Sequence, residues 1–127
     1  MCIRDRYFIS VESSFSAAHF LRGYQGKCEN LHGHRFKVVA RLRFTRLNEI
    51  GLAYDFTELK KQLGNVIRIY DHCCLNEVKP FDGINPSSEN IAATIYDQLS
   101  AKIPADGVID SVEVWESPES CAVYRPG

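Results

Sequence analysis

The chain is 127 residues long, enough for one domain and short for two. Its 45% hydrophobic and 24% charged residues mark a globular protein, and a formal net charge of −1 leaves no overall basic field to recruit nucleic acid or an anionic membrane. Apolar runs reach only a few residues, too short to span a bilayer, and no secretory leader opens the sequence, so a cytoplasmic protein is expected.

A single domain over residues 1–127 is expected, with one reservation at the start. Met1 to Arg6 back-translates to a sequence resembling a transposon-end adapter, so residues 1–6 read as a scar or a frayed end outside the fold. Tyr7 to Ser16 mixes β-formers with polar residues and predicts a strand running on toward His19. Gly23, Gly26 and Asn30 make the segment Arg22 to Asn30 a loop. From Arg35 to Thr45 the pattern alternates: Phe36, Val38, Ala40, Leu42 and Phe44 on one face, Arg35, Lys37, Arg41 and Arg43 on the other. That is a half-exposed antiparallel strand. A turn near Asn48 to Gly51 leads to an expected short strand, Leu52-Ala53-Tyr54.

A helix follows, with Asp55 and Glu58 spaced as a capping box and Phe56, Leu59, Leu63, Val66, Ile67 and Tyr70 as its apolar stripe. Prolines and a glycine make Lys79 to Pro86 a loop. A second helix runs from about Ser87 to Lys102, with Ile91, Ile95 and Leu99 on one face, and Pro104 and Gly107 end it. Val108 to Glu116 and Cys121 to Tyr124 predict a terminal hairpin. Strands and helices are grouped rather than alternating, which favours an α+β fold with a mostly antiparallel sheet over a βαβ arrangement.

The five cysteines are irregularly spaced, and no Cys-x-x-Cys pair occurs, so reduced thiols fit better than disulfides or an all-thiolate metal site. The four histidines are more informative. On a strand, the i, i+2 spacing of His32 and His34 puts both imidazoles on one face, and an antiparallel neighbour can bring His19 beside them. Three neutral imidazoles form a catalytic zinc set with a fourth position open. The bland alternative is a pair of polar-face histidines. Gly33 between them allows close approach of a neighbouring strand or ligand. Cys28, after Lys27 in the loop, suits a zinc ligand or a low-pKa base, against the alternative of a small packed hydrophobe. Cys73, Cys74 and Cys121 read as that packed alternative. Asp71-His72 pairs a carboxylate with an imidazole, useful for acid–base work or merely a helix-end coincidence. Glu89 opens the second helix and Glu116 closes a strand; nothing in their spacing separates function from solvation.

Together these segments resemble the 6-pyruvoyl-tetrahydropterin synthase family. The resemblance lies in Phe15-Ser16-Ala17-Ala18-His19, Cys28-x-x-x-His32-Gly33-His34, Asp55-Phe56-x-x-Leu59-Lys60, Asp71-His72-x-x-Leu75-Asn76, Pro86-x-Ser88-Glu89-Asn90 and Glu116-Ser-Pro, in order from Phe8 to Arg125. The three-residue gap after Cys28 is similar to the bacterial 6-carboxy-5,6,7,8-tetrahydropterin synthase branch, which acts in queuosine and other 7-deazapurine synthesis. The resemblance implies a tunnelling fold (T-fold): an antiparallel four-stranded sheet with two helices on one face, closed into a barrel by three subunits, two trimers stacking into a hexamer. It also implies one zinc per chain on His19, His32 and His34, with Cys28, Asp71 and His72 catalytic. Glu116 would anchor the pterin and Glu89 would help bind substrate from a neighbouring subunit. The implied reaction converts 7,8-dihydroneopterin triphosphate to 6-carboxy-5,6,7,8-tetrahydropterin, releasing acetaldehyde and triphosphate. The alternatives are a pyruvoyl-forming or other dihydroneopterin side-chain-cleaving enzyme and, from another class, a zinc-stabilised binding module without turnover. The last would need neither Cys28 nor Asp71-His72.

Overall fold

The alternation from Phe36 to Phe44 builds a strand, and a longer one than expected: β2 spans His32–Phe44 and pairs antiparallel along its length with β1, Tyr7–His19. The structure is a computed structural model and describes residues 5–26 and 29–127. On the far side of β2 the sheet continues into the terminal hairpin. Here Val108–Ser117 and Ser120–Tyr124 form two strands, and the first of them pairs antiparallel with β2. At the opposite edge a two-residue strand, β3 (Cys73–Cys74), runs parallel to β1, so the hairpin strands are β4 and β5. The sheet order is β3-β1-β2-β4-β5. Four antiparallel strands were expected; the sheet has five and is mixed. β3 exists because the chain returns along β1, where His72 N–H donates to the Ser16 carbonyl at 2.6 Å and Ser16 N–H donates to Asp71 Oδ1 at 2.9 Å.

The expected strand Leu52-Ala53-Tyr54 does not form. Asn48 Oδ1 instead accepts from the N–H groups of Ile50 and Leu52, each at 3.0 Å, and Gly51 takes φ +85°, a tight turn that draws in the first residue of the expected strand. Tyr54 stacks on Phe44 and closes this end of the core.

Helix α1 covers Phe56–Ile67, capped by Asp55, whose carboxylate accepts from Thr57 N–H at 2.8 Å. Its partner in the expected capping box, Glu58, accepts from Gln62. Phe56 belongs to the turn rather than the stripe and is 54% exposed. The apolar spacing beyond Ile67 tightens into a 3-10 turn, Arg68–Tyr70, which buries Tyr70. Helix α2 covers Ser88–Ser100 and is capped by Ser87, which accepts from Asn90 N–H at 3.1 Å.

Both helices lie on the same face of the sheet. Leu59, Leu63, Ile91, Ile95 and Leu99 meet Phe15, Phe36, Val38, Ala40, Leu42 and Val114 in one buried cluster. Each valine, leucine, isoleucine or phenylalanine among them contributes about 1.5–3 kcal/mol on full burial. A bulge between Arg41 and Leu42 against β4 shifts the phase, so Ile109 and then Val112 and Val114 all face the core. The other sheet face carries Glu12, Arg35, Lys37, Arg41, Glu113 and Trp115. Of the cysteines read as packed, Cys73 and Cys74 are half-buried and Cys121 is exposed on β5.

Candidate metal centre

The core face runs past its last apolar residues into polar ones. His32 and His34 share a parity with Phe36 and Val38, so the same pleat that buries those side chains aims both imidazoles at the end of the core. The β1–β2 register sets His19 opposite His32 and Ala17 opposite His34, which brings the third imidazole to the same face. Ring centroids lie 4.6 Å apart for His19 and His32, 5.3 Å for His19 and His34, and 4.8 Å for His32 and His34. Glu116 arrives from β4 with the parity of Val112 and Val114. One ligand atom from each of His19, His32, His34 and Glu116 lies within 4.8 Å of the others.

Hydrogen bonds orient two of the rings. His19 Nδ1 lies 2.7 Å from the Pro86 carbonyl and His32 Nδ1 lies 2.6 Å from the Asn30 carbonyl. A carbonyl can only accept, so each Nδ1 carries the proton and each Nε2 keeps a lone pair. His19 is 2% exposed, and its burial holds the imidazole below the usual histidine range, favouring the neutral form a metal needs. Nε2 of His19 and of His34 are shut off from solvent, and that of His19 makes no hydrogen bond. Glu116 Oε1 lies 3.5 Å from His19 Nε2, 3.9 Å from His32 Nε2 and 2.8 Å from His34 Nε2. Buried nitrogens with lone pairs converging on one point, each backed by a carbonyl or a packed ring, match the donor set and outer support of a histidine-bound zinc.

Glu116 is therefore among the histidines, where it was expected only as a substrate anchor. Its other oxygen, Oε2, accepts from Ser88 Oγ at 3.5 Å. The parity of Val112, Val114 and Glu116 could have placed this carboxylate on the core face from sequence. Glu89, one residue beyond Ser88, is exposed on the first turn of α2 and stands outside the cluster. Cys28 and Lys27 lie outside the described residues.

Asp71 and His72 form a pair, with His72 Nδ1 3.0 Å from Asp71 Oδ2 and the imidazole 82% exposed. The Ser16 N–H holds the Asp71 carboxyl below its usual range, and His72 adds to that effect. His72 has φ 58°, a left-handed conformation that turns the chain onto β1. His34 and His72 both line an open cleft of about 600 Å3 whose floor includes Gly33. A Cβ on Gly33 would meet only the Ala17 carbonyl, at 3.9 Å, so the glycine leaves the cleft floor low rather than permitting a tight strand approach. Arg35 lines this cleft and a second one of about 630 Å3 on the helix-free face, shared with Lys37, Trp115 and Glu116. Arg22, also near the site in sequence, is committed elsewhere: its guanidinium donates to the carbonyls of Phe81, Ile84 and Asn76. Among the described residues no helix is long and apolar enough to cross a membrane.

Comparison with known proteins agrees with this architecture. The family described as 6-pyruvoyl tetrahydropterin synthase matches residues 8–127. A 6-carboxy-5,6,7,8-tetrahydropterin synthase of Synechocystis sp. is 38% identical over 124 residues, covering 93% of this chain and 92% of the relative. A dihydroneopterin monophosphate aldolase of Pyrococcus furiosus is 33% identical over 113 residues, covering 87% and 90%. The solved structure of Caenorhabditis elegans 6-pyruvoyl tetrahydropterin synthase superposes with a TM-score of 0.87 at 28% identity, covering all of both chains. With a T-fold layout of sheet and helices and a family match over nearly its whole length, the chain belongs to the 6-pyruvoyl tetrahydropterin synthase family of enzymes.

Proposed function

We propose that this chain is a zinc-dependent carbon–carbon lyase that converts 7,8-dihydroneopterin triphosphate and one water to 6-carboxy-5,6,7,8-tetrahydropterin, releasing acetaldehyde and triphosphate. The step belongs to queuosine and other 7-deazapurine synthesis in the cytoplasm, and the working form is a hexamer of two stacked trimers. The observation that carries this reading is the convergence of the His19, His32 and His34 Nε2 atoms, two of them shut off from solvent, in a chain whose relatives include a 6-carboxy-5,6,7,8-tetrahydropterin synthase.

His19, His32 and His34 would hold one zinc per chain. When bound, the metal supplies a Lewis acid that lowers the pKa of a substrate hydroxyl and stabilises developing negative charge. The remaining work falls to side chains. Cys28 takes a proton from the substrate side chain. Asp71 fixes the His72 ring through the 3.0 Å contact, and His72 carries protons while triphosphate leaves and the carbon–carbon bond breaks. Glu116 suits the pterin edge, because an amino-pyrimidinone presents adjacent N–H donors to two carboxylate oxygens. Glu89 contributes to substrate binding in a neighbouring subunit. Arg35, which opens onto both clefts, offers the triphosphate a cation.

A second reading has its own support. The Pyrococcus furiosus aldolase covers most of this chain at 33% identity, so cleavage of a dihydroneopterin side chain to a hydroxymethyl pterin is the main rival, with pyruvoyl formation beside it. Incubating zinc-loaded protein with 7,8-dihydroneopterin triphosphate and identifying products by mass spectrometry decides among them. The carboxylated pterin with acetaldehyde is expected. A hydroxymethyl or pyruvoyl pterin would transfer the assignment to the corresponding relative, and no turnover would leave a binding module.

A further inference from the structure

Past His19 the chain leaves the sheet, yet its backbone stays paired. Phe20 N–H donates to Asn76 Oδ1 at 3.0 Å, and the Phe20 carbonyl accepts from Asn76 Nδ2 at 3.0 Å. Two residues on, Arg22 N–H donates to Asn85 Oδ1 at 2.9 Å and the Arg22 carbonyl accepts from Asn85 Nδ2 at 3.0 Å. Each carboxamide offers one acceptor and one donor, the pattern that a neighbouring strand would present to alternate residues. Two asparagines thus stand in for a missing strand beside residues 20–22.

Asn85 also leads directly into Pro86, whose carbonyl holds His19 Nδ1. A proline has no N–H with which to anchor itself, so the position of that carbonyl is set by its neighbours. On one side the Asn85 side chain grips Arg22. On the other, the Asn85 carbonyl accepts from Asn90 Nδ2 at 2.9 Å, and Asn90 N–H donates to Ser87 Oγ. The Arg22 guanidinium adds a return tie, donating to the Phe81 carbonyl at 2.9 Å and the Ile84 carbonyl at 3.2 Å. The segment before Pro86 is therefore fixed to the segment after His19 in both directions.

We infer that Asn85 is a positioning residue for His19: its two-point grip on Arg22 fixes the Pro86 carbonyl, which keeps the His19 proton on Nδ1 and leaves Nε2 open toward His32 and His34. Asn76, on Phe20, supports the same segment two residues earlier. The consequence for metal affinity rests on the metal-centre reading; the tautomer itself does not.

The experiment compares the full-length wild-type chain with Asn85→Ala, with Asn85→Asp as a milder variant that keeps the acceptor and loses the donor. Asn48→Ala is the control, because Asn48 makes a comparable loop clamp at the far end of β2. Long-range proton–nitrogen NMR spectra of the metal-free proteins at about pH 8, where imidazoles are neutral, report the His19 tautomer. Wild type and Asn48→Ala are expected to show the Nδ1–H form. Asn85→Ala, and less strongly Asn85→Asp, should shift His19 toward Nε2–H. Zinc titration against a chromophoric chelator should show dissociation constants about 10–100-fold higher for Asn85→Ala, the usual effect of losing outer support for a ligand, and a near-wild-type value for Asn48→Ala. A His19 spectrum unchanged in both Asn85 variants overturns the positioning role, whatever happens to zinc. A wild-type protein with the Nδ1–H tautomer but no zinc affinity would overturn the metal reading and leave the clamp standing.

Discussion

His19 buries an Nε2 that finds no hydrogen bond, an arrangement that costs stability unless another group uses the lone pair. Three imidazoles already complete the protein ligands of an open zinc site. His32→Ala or His34→Ala should therefore abolish binding of about one zinc per chain, whereas Glu116→Gln should keep the metal and raise KM by about tenfold or more, as expected for a lost charge-assisted pair. Metal analysis of the purified variants alongside substrate titration checks this. Loss of zinc in Glu116→Gln would make the carboxylate a fourth ligand, a role its 2.8 Å approach to His34 allows. Cys28→Ala should keep zinc and fold while losing about a hundred- to ten-thousand-fold in turnover, the usual contribution of a general base. Unchanged turnover would remove Cys28 from the chemistry. Of this site the histidines were legible in sequence because i, i+2 spacing on a strand has one structural meaning. The face they occupy could have been read as well, since Phe36 and Val38 carry the same parity. Pro86 and Asn30 as carbonyl supports were not, because backbone groups have no residue-type signature.

At the level of elements, the long strand β2 could be read because its alternation is a local property of the chain. β3 could not: two residues carry no period, and their pairing depends on Ser16, more than fifty positions away. Leu52-Ala53-Tyr54 has strand composition, but the Asn48 side chain captures the Leu52 N–H, with that of Ile50, for a turn. The junction at Asp71 also makes a pH prediction. Its carboxyl sits below the usual range chiefly because Ser16 N–H donates to it, so the folded state favours the ionised form. Stability from this contact is present above the unfolded-state pKa, near 4 in model peptides, and is lost as pH falls through the lower folded value. Asp71→Asn should accordingly lower Tm at neutral pH, and the gap from wild type should close as the medium becomes strongly acidic. Thermal melts across that range test it; a constant gap would show that the carboxamide loses packing rather than charge. The same variant should slow turnover at neutral pH, because an amide no longer supports protonated His72.

Across the whole molecule, the sheet is left with two edges, β3 on one side and β5 on the other. Its helix-free face is not an apolar surface awaiting a layer: Glu12 lies 3.7 Å from Lys37, Arg41 lies 3.7 Å from Glu113, and the Lys37 ammonium sits over the Trp115 ring. A wetted, charged face suits the lining of a wide barrel better than contact with a second sheet. The edges are the unresolved problem, since unpaired strand groups invite association, and joining subunits edge to edge removes them. The protein is therefore expected to run in solution as a hexamer, about six times the 14.4 kDa chain, or at least as a trimer. Light scattering coupled to size exclusion measures this directly. Val123 lies on β5 with its side chain exposed, and Val123→Lys places a charge on the edge strand without entering the core. That variant should keep its fold by circular dichroism while shifting toward smaller species. Turnover should fall with the loss of assembly, because Glu89 is proposed to serve a neighbouring subunit's substrate. A wild-type monomer with full activity would sink both barrel closure and that role for Glu89.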